Sequence, residues 1–463
     1  MADPKYHLIT LGCQMNKNDS ERMDAILSGV GFSSTENREE ADVILVNTCS
    51  VRQSAEDRVF GLMHEFAMLK ETRPDLIVGV TGCMPGRDRD GKIRKRLPVA
   101  DLYFPITDAP QLPRWIGELR PELVNSADIE TDYLKVIPER RTFRQGFVTI
   151  QTGCNKFCTY CVVPFARGLE KNRPLVDIMK EIRDLAEHGC VEVTLLGQTV
   201  NSYRAPDPEN WSVGNPYQDP FAALLWEVNQ VSGISRLHFT APHPLHMTDE
   251  VIDAMILPSH LNYIHLPVQA GDDEVLRRMN RRYTTDQFLD VVRRLRKKIP
   301  NLAIGTDIIV GFCGETRDQY LKTAELYEQI RFDISYTARY STRSGTAAAR
   351  AFKDDVDRDE KKWRWNHLQE IQERIVYEKN QAFVGKTVSV LVERHEPPAP
   401  TDEMLALGGN IIDHLANLPG TCLGNSREMK LVRFSGPKEL LGQIVNVKIN
   451  KAEKWILDGQ KLS

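Results

Sequence analysis

The stretch GCNKFCTYC, residues 153–161, places three cysteines, Cys154, Cys158 and Cys161, within eight residues. A structural zinc site closes four ligands around its metal, and a cubane iron-sulfur cluster has four irons to hold. Three neighbouring thiols are therefore one ligand short for either kind of site. The stretch predicts a metal centre whose fourth ligand comes from elsewhere, and zinc remains the alternative to iron at this point.

The cysteine triad follows the first of six strand-like segments that alternate with helix-like ones. The strand-like segments are GFVTIQTG, VEVTLLGQTV, SRLHFTA, YIHLPVQ, AIGTDIIVGF and ISYTARY. Helix-like segments between them include LVDIMKEIRDLAEHG, FAALLWEVNQ, TDQFLDVVRRLRKKI and RDQYLKTAELYEQI. This alternation predicts a partial (βα)6 barrel, with fewer strands than the eight of a full barrel. Because such barrels carry their chemistry at the carboxyl ends of the strands, the triad is expected on the catalytic rim.

Three more cysteines end three successive strand-like segments earlier in the chain. YHLITLGC ends at Cys13, ADVILVNTC ends at Cys49 and DLIVGVTGC ends at Cys83, so the spacing is close to the length of a βαβ unit. The pattern predicts a parallel α/β domain, with Asp19 or Ser20 capping the helix after the first strand. Open α/β sheets bind ligands at the carboxyl edge of their strands, so these thiols are expected to gather there as a second cluster site. The alternative is that each is merely a small buried residue.

The last part of the chain changes to a β pattern. A charged helix-like segment, DRDEKKWRWNHLQEIQERIVYEKNQAF, is followed by the alternating strands KTVSVLVE, MKLVRF and GQIVNVKI. These strands and their turns predict a small five-stranded antiparallel barrel of a type that binds oligonucleotides, with EPPAPTDEMLALGGNIIDHLANLPGTC as an insertion between strands. The predicted domains are residues 1–124 for the α/β domain, 125–145 for a linker, 146–380 for the (βα)6 barrel and 381–463 for the last barrel.

Composition limits the class of protein. The 463 residues are 41% hydrophobic and 27% charged, which is ordinary for a chain with several packed domains. No segment approaches the roughly 18 apolar residues of a membrane span, and the first residues lack the plan of a signal peptide. Nine cysteines in a large chain favour metal chemistry in a reducing compartment, so we expect a cytoplasmic protein with no membrane partner. The net charge of −4 means that any RNA must be met by local patches.

The triad resembles a known signature. CNKFCTYC, with an aromatic residue before the last cysteine, is similar to the CxxxCxφC motif of radical S-adenosylmethionine (SAM) enzymes. In that family three cysteines hold three irons of a [4Fe-4S] cluster, and SAM chelates the fourth iron. The resemblance therefore implies that Cys154, Cys158 and Cys161 hold such a cluster, with SAM as the missing ligand.

Further strings narrow the resemblance to one family. LGCQMNKNDSE, NTCSVRQSAEDRV, TGC, CTYCVVPFARGLE, LLGQTVNSY, HLPVQAGDDEVLRRMNRRYT and DIIVGFCGET resemble the methylthiotransferases over essentially the whole chain. The family plan implies a second [4Fe-4S] cluster on Cys13, Cys49 and Cys83, and a C-terminal TRAM domain. The chain is most similar to the branch that acts on tRNA, where a methylthio group is installed on carbon 2 of isopentenyl-modified adenosine at position 37, beside the anticodon.

The resemblance also implies a mechanism and partners. The family methylates a sulfide of the N-terminal cluster with one SAM, and uses a 5′-deoxyadenosyl radical from another to remove hydrogen from the base. The implied partners are the tRNA anticodon stem-loop and an electron donor such as a flavodoxin or a ferredoxin, and a monomer is expected. The alternatives are threonylcarbamoyl-adenosine of tRNA, an aspartate of a small-subunit ribosomal protein, or a cluster-stabilised RNA-binding protein without turnover.

Other site residues are assigned on weaker grounds. Tyr160 resembles the family aromatic whose backbone lies near the SAM adenine, and Gln198 and Asn201 follow the second barrel strand, where they would reach SAM. Residues that are candidates for an anion contact or a polar role near strand ends are Arg167, Arg173, His243 and His265. Cysteines expected to be structural are Cys190, Cys313 and Cys422. APHP, GFCGET, RGLE and GNS depart from the usual family strings, which affects the SAM, substrate and RNA contacts.

Overall fold

The structure is a computed structural model that describes residues 3–50, 53–124, 132–140, 144–398 and 418–462. Its first domain is a five-stranded parallel sheet in the order β2-β1-β3-β4-β5. The strands are β1 (Lys5–Leu11), β2 (Ser33–Ser34), β3 (Val43–Thr48), β4 (Ile77–Gly82) and β5 (Leu102–Tyr103). The helices are α1 (Gln14–Ser28), α2 (Gln53–Thr72), α3 (Cys83–Arg87) and α4 (Leu112–Leu119). Every residue of β3 and β4 is buried, because apolar clusters cover both faces of the sheet.

The structure corrects the predicted start of the first helix. Helix α1 begins at Gln14 and its N-cap position is Cys13, whose backbone N–H donates to the Asn16 side chain at 3.3 Å. Asp19 and Ser20 lie inside the helix and are buried. Asp19 accepts hydrogen bonds from Arg167 and Tyr133, and Ser20 bonds the side chains of Thr10 and Asn47. Both residues are polar because of these tertiary contacts, and the prediction that one of them caps the helix is wrong.

Part of the segment predicted as a linker belongs to the first domain's core. Tyr133, Leu134 and Val136 are buried and pack with Tyr6 and Leu27 among others. Residues 125–131 and 141–143 of that segment lie outside the described residues. The chain between the first two domains therefore contributes packing as well as connection.

The second domain has six parallel strands in two three-stranded sheets, ordered β10-β9-β6 and β11-β12-β13. The strands are β6 (Gln145–Thr149), β9 (Glu192–Leu196), β10 (Arg236–Phe239), β11 (Tyr263–His265), β12 (Ala303–Val310) and β13 (Ile334–Arg339), with a small hairpin of β7 (Gln151–Thr152) and β8 (Lys171–Asn172) beside them. Backbone hydrogen bonds of 2.8 Å from Leu237 to Ser259 and from Leu261 to Leu237 bridge the two sheets. The strands thus follow one another in chain order, as the partial (βα)6 barrel predicts.

Helices surround this barrel. They are α5 (Val163–Ala166), α6 (Leu175–Glu187), α7 (Pro220–Asn229), α8 (Asp249–Ala254), α9 (Asp273–Arg278), α10 (Thr285–Lys298), α11 (Arg317–Ile330), α12 (Ala347–Ala351) and α13 (Arg358–Gln381). The last of them, α13, is the charged segment, and it packs Leu368, Ile371 and Ile375 into the barrel core rather than standing free in solvent. Within the described part of the chain, no helix has both the length and the apolar character needed to cross a bilayer.

The third domain is a closed five-stranded barrel in the order β14-β15-β16-β18-β17. Its strands are β14 (Thr387–Glu396), β15 (Gly420–Ser426), β16 (Leu431–Gly436), β17 (Ile444–Ala452) and β18 (Leu457–Lys461). All pairings are antiparallel except the short parallel one of β16 with β18 that closes the barrel. The predicted insertion falls between β14 and β15, and residues 399–417 of it lie outside the described residues.

The third domain sits at the amino ends of the (βα)6 strands. Arg236, the first residue of β10, donates to the carbonyls of Asn425 and Ser426 at 3.2 and 3.1 Å. Asp333, which precedes β13, pairs with Lys430 at 3.0 Å. The small barrel is therefore attached to the face opposite the carboxyl ends of the strands.

Candidate active site

The first three cysteines meet at the carboxyl edge of the parallel sheet. In the strand register Leu11 lies opposite Thr48, and Thr48 lies opposite Gly82. Cys49 and Cys83 follow their strands at once, and Cys13 follows β1 after one glycine. The backbone N–H of Cys49 donates to the Leu11 carbonyl at 2.7 Å, which extends the pairing to the cysteine itself. The gathering predicted from the βαβ spacing is therefore present.

A glycine with positive φ precedes one cysteine of each triad, Cys83 in the first and Cys154 in the second. Gly82 has φ +100°, and a Cβ there would lie 2.3 Å from the Thr48 carbonyl oxygen. Gly153 has φ +73°, and a Cβ there would lie 2.0 Å from the Leu169 carbonyl oxygen. Only glycine tolerates both the left-handed backbone and the close approach. The repeated TGC string at Cys83 and Cys154 thus turns each thiol out of its strand.

Burial and charge act together at the first triad. Burial raises the pKa of the Cys83 thiol, Arg167 lowers that pKa, and the neighbouring Cys13 raises it again. Arg167 lies near Cys83 and forms a buried ion pair with Asp19 of α1. Asp19 also accepts a hydrogen bond from Tyr133. A fixed positive charge of the second domain therefore faces the thiols of the first, where it would stabilise bound thiolates.

The second triad lies on the loop after β7. Cys154 Sγ is 3.3 Å from Thr199 Oγ1 and accepts the backbone N–H of Lys156 at 3.4 Å, while Cys161 Sγ accepts the N–H of Val163 at 3.4 Å. Burial, then the neighbouring Cys158, raises the pKa of Cys161 to about 12. The loop therefore surrounds its sulfur atoms with hydrogen-bond donors, which is a means by which proteins tune iron-sulfur clusters.

Arg281 is a site residue that the sequence reasoning missed. Its Nη1 donates to Cys158 Sγ at 3.4 Å, its Nη2 to the Pro267 carbonyl at 3.2 Å and its Nε to Tyr283 Oη at 3.0 Å. The side chain is buried, so its charge is held against Cys158 of the triad. The only sequence signal was the string NRRYT, in which nothing distinguishes this arginine from its neighbours.

The helices that follow the two triads pack together at one seam between domains. Helix α3, which begins at Cys83, packs on α5, which begins two residues after Cys161. A Cβ on Gly86 would lie 2.1 Å from the Ala166 carbonyl oxygen, so the two helices are in close contact. Arg87 adds a second link: it pairs with the buried Glu56 at 2.7 Å and donates to the Ser344 carbonyl at 3.3 Å. The seam therefore fixes the two cysteine sites relative to each other.

The donor chemistry of both triads fits iron-sulfur clusters. All six cysteines are free thiols, and soft thiolates are the ligands such clusters take. The described residues contain no set of three or more His, Cys, Asp or Glu side chains arranged around a single metal ion. In a cubane each thiolate binds a different iron, so its ligands need not converge on one point.

The remaining predicted SAM residues occupy different environments. Tyr160 is half-buried and packs edge-on against Phe312, with ring centres 6.4 Å apart. Asn201 is buried, and its amide bonds both the N–H and the carbonyl of His243 at 2.8 and 3.0 Å. That amide holds the loop after β10 in place. Gln198 is half-buried at the carboxyl end of β9, where it was expected.

The candidate anion-binding and histidine residues have internal partners. Arg173 pairs with the buried Glu181 at 2.7 Å; burial alone would raise the pKa of Glu181, yet Arg173 and Arg140 bring it to about 2. Burial, and then the charge of Arg281, lowers the pKa of His243 to about 2, so its ring is neutral. His265 lies 3.2 Å from Asp307. Cys190, Cys313 and Cys422 are buried free thiols, and none is next to a triad in sequence.

Comparison with known proteins identifies three regions. Residues 148–327 match the Radical SAM superfamily, residues 5–105 match uncharacterized protein family UPF0004, and residues 381–462 match the TRAM domain. The chain is 40% identical over 462 residues to a tRNA-2-methylthio-N(6)-dimethylallyladenosine synthase of Bacillus licheniformis, an alignment that covers 98% of this chain and 85% of that one. It is 39% identical over 464 residues to a protein of the same name from Clostridium botulinum (strain Hall), covering 99% and 97%.

Among solved structures, the radical S-adenosylmethionine methyltransferase TsrM from Kitasatospora setae, with cobalamin and a [4Fe-4S] cluster bound, is similar in fold. The TM-score is 0.56 at 12% identity, over 75% of this chain and 77% of that one. At this identity the likeness shows a shared fold and nothing more.

Proposed function

The chain belongs to the family of tRNA-2-methylthio-N(6)-dimethylallyladenosine synthases, and on that basis we propose that it installs a methylthio group on carbon 2 of isopentenyl-modified adenosine at position 37 of tRNA. The observation that carries the proposal is the pair of cysteine triads whose following helices pack together at one seam. The reaction must replace an aromatic C–H bond, which side-chain acids, bases and nucleophiles do not break at neutral pH. Two separate cofactor sites that reach one base meet that need.

We assign one [4Fe-4S] cluster to each triad. Cys154, Cys158 and Cys161 would hold the cluster whose open iron takes SAM, and Cys13, Cys49 and Cys83 would hold the auxiliary cluster. When bound, these groups supply the reductive cleavage of SAM and the sulfur for transfer.

The chain's own residues bind, orient and shield these groups. The sulfur atoms of the SAM-side triad accept hydrogen bonds from the backbone N–H groups of Lys156 and Val163 and from the guanidinium of Arg281. The ion pair of Arg167 with Asp19 holds the seam, and its burial keeps water from it. Tyr160, Gln198 and Asn201 remain the proposed SAM-side residues, with Asn201 acting through the loop at His243.

The partners follow from the substrate and the chemistry. The tRNA substrate places the enzyme in the cytoplasm, and a low-potential one-electron donor of the flavodoxin or ferredoxin class would reduce the SAM-side cluster. We propose that the protein acts as a monomer, since each triad is complete within one chain.

Nucleoside mass spectrometry of tRNA tests the function. In a strain that lacks the gene, 2-methylthio-isopentenyladenosine should disappear and isopentenyladenosine should accumulate; the wild-type gene should restore the product. Cys154→Ala should not restore it, whereas Cys422→Ala should, because Cys422 packs in the core of the third domain. Unchanged isopentenyladenosine with loss of methylthio-threonylcarbamoyl-adenosine, or of the modified ribosomal aspartate, would assign the enzyme to another branch. Binding of tRNA without any change in its nucleosides would indicate a protein without turnover.

A further inference from the structure

Two arginines from different domains flank one aromatic ring at the seam. Phe165 lies in α5, four residues after Cys161, and the guanidinium carbon of Arg89 is 5.6 Å from its ring centre. The guanidinium carbon of Arg350, in α12 of the barrel, is 6.0 Å from the same ring centre. Both arginine side chains are exposed, and within the described residues neither has a carboxylate partner within ion-pair distance. We call Arg89, Phe165 and Arg350 the seam patch.

The acidic residues beside Arg89 are already engaged. Asp88 accepts the backbone N–H groups of Ile93 and Arg94 at 3.0 and 2.7 Å, and the hydroxyl of Tyr103 at 3.1 Å. Asp90 pairs with Lys92 at 2.8 Å. The positive charge of the seam patch is therefore open to an external anion, in a chain whose net charge is −4.

The seam patch lies beside both cysteine sites. Phe165 follows the SAM-side triad on α5, and Arg89 comes six residues after Cys83, just beyond α3. The close contact of Gly86 with Ala166 joins these two helices. This part of the patch therefore lies on or directly beyond the two helices that follow the cysteine sites.

The third domain stands at the other end of the barrel. It contacts Arg236 and Asp333 at the amino ends of the strands, whereas the triads follow the carboxyl ends. The eight residues of β12 span roughly 25 Å at the usual rise of a strand. A small barrel at that distance holds RNA but cannot by itself fix a single base at the clusters, so a second RNA contact is needed near the seam.

We propose that the seam patch binds the phosphates of the loop nucleotides that flank the target base, with Arg89 and Arg350 as the cations and Phe165 as the ring that holds the two guanidinium groups together. This inference rests on the proposed tRNA function and deepens it. Single-stranded RNA is bound by cations along its backbone, and the patch holds two exposed cations on one ring. An acidic redox protein is the other partner for a cationic surface, but RNA is favoured because the patch joins the two domains that carry the cysteine triads, between which the base must be brought.

The test measures binding of isopentenylated tRNA, purified from the deletion strain, to the two-cluster protein as a function of salt. Arg89→Glu with Arg350→Glu reverses both charges. Lys180→Glu with Arg183→Glu, on the exposed face of α6, is the matched control with the same change in net charge. Phe165→Leu removes the aromatic face but keeps apolar volume. Iron content and far-UV circular dichroism check that each variant is folded and loaded.

The expected result is a loss of affinity of roughly tenfold or more at low salt for the Arg89/Arg350 variant, with the salt dependence reduced by about one to two counterions. The Lys180/Arg183 control should bind as the wild type does. Phe165→Leu should weaken binding less than the double charge reversal does and leave the salt slope nearly unchanged, because both cations remain.

Three outcomes would overturn the proposal, and they are distinguishable. If the wild type and the Arg89/Arg350 variant bind and modify tRNA equally, the seam patch is not an RNA surface although the proposed function stands. If the wild type neither binds nor modifies tRNA, the proposed function itself fails. If the variant binds tRNA normally but is reduced more slowly by flavodoxin, the patch serves an acidic electron donor.

Discussion

At the residue scale, the glycine before a cysteine is as necessary to the site as the thiol. Gly82→Ala would force a side chain against the Thr48 carbonyl in a left-handed backbone, so the turn that presents Cys83 must shift. We expect the variant to lose about half of its iron after anaerobic reconstitution, about four of about eight atoms, because only the auxiliary site is disturbed. Iron and sulfide analysis with Mössbauer spectroscopy measures this.

Gly61→Ala is the matched control for that substitution. Gly61 lies within α2, and a Cβ there meets nothing within 4 Å. Since alanine is the better helix former, the control should keep all of its iron and be equal or slightly higher in stability, by up to about 1 kcal/mol. Equal iron in Gly82→Ala and Gly61→Ala would show that the auxiliary site does not depend on this turn.

Arg281 gives a second prediction at this scale, because its buried charge contacts Cys158 at 3.4 Å. Arg281→Met should make the midpoint potential of the SAM-side cluster more negative, since a positive charge next to the sulfur atoms is lost. We expect 5′-deoxyadenosine to form roughly tenfold more slowly at a fixed reductant, and Arg281→Lys to restore part of the rate. Redox titration followed by electron paramagnetic resonance measures the potential.

The neighbouring Arg282 provides the control. Its side chain is exposed and, among the described residues, its hydrogen bond is to the Asn280 side chain, at 3.4 Å. Arg282→Met should therefore leave the potential at the wild-type value. If Arg281→Met shifts neither the potential nor the rate, the contact with Cys158 is structural and Arg281 does not tune the SAM-side cluster.

At the scale of elements, helix α1 is joined to the loop after α5 by a buried ion pair of Asp19 with Arg167. Arg167→Met would leave the carboxylate of Asp19 buried and uncompensated, which typically costs about 3 to 5 kcal/mol. The double variant Asp19→Asn with Arg167→Met should recover much of that loss, because no isolated charge remains. Urea unfolding of the reconstituted protein measures both.

A solvent-exposed ion pair is the control for the Asp19 and Arg167 variants. Arg277 and Glu274 pair at 2.7 Å on the surface of α9, and Arg277→Met should change the free energy of unfolding by less than about 1 kcal/mol. If Arg167→Met costs no more than Arg277→Met, the seam is not held by its buried charges. The seam would then depend on the packing of α3 against α5 alone.

At the scale of the whole molecule, the two triads have separate tasks. Replacing Cys154, Cys158 and Cys161 by Ala should abolish both 5′-deoxyadenosine and methylthiolated tRNA, since SAM has lost its site. Replacing Cys13, Cys49 and Cys83 should keep 5′-deoxyadenosine, at a lower rate, and abolish methylthiolated tRNA. Each triple variant should hold about four irons. Full product from a folded N-terminal variant would contradict the division of tasks.

The sequence by itself determined the classes of the three domains, because strand and helix periods and the βαβ spacing are local properties of the chain. From the same spacing it predicted the six cysteines as two metal sites. It also carried the family resemblance through two independent cysteine sets. The predicted start of α1 was wrong. Asp19 resembles an N-cap residue in the sequence, because its partner Arg167 is 148 residues away and their contact has no sequence signal.

Only the tertiary structure decided which distant residues share the site. Arg281 and Cys158 are 123 positions apart. Their contact brings the segment after α9 against the loop after β7. Three other findings also depend on contacts between distant parts of the chain. They are the inclusion of Tyr133 in the first core, the attachment of the last barrel at the amino ends of the strands and the contact of Phe165 with two arginines. Such contacts have no period or spacing in sequence. They arise because strand ends that are remote along the chain meet at one edge of a sheet, and what faces them is set by the packing of whole domains.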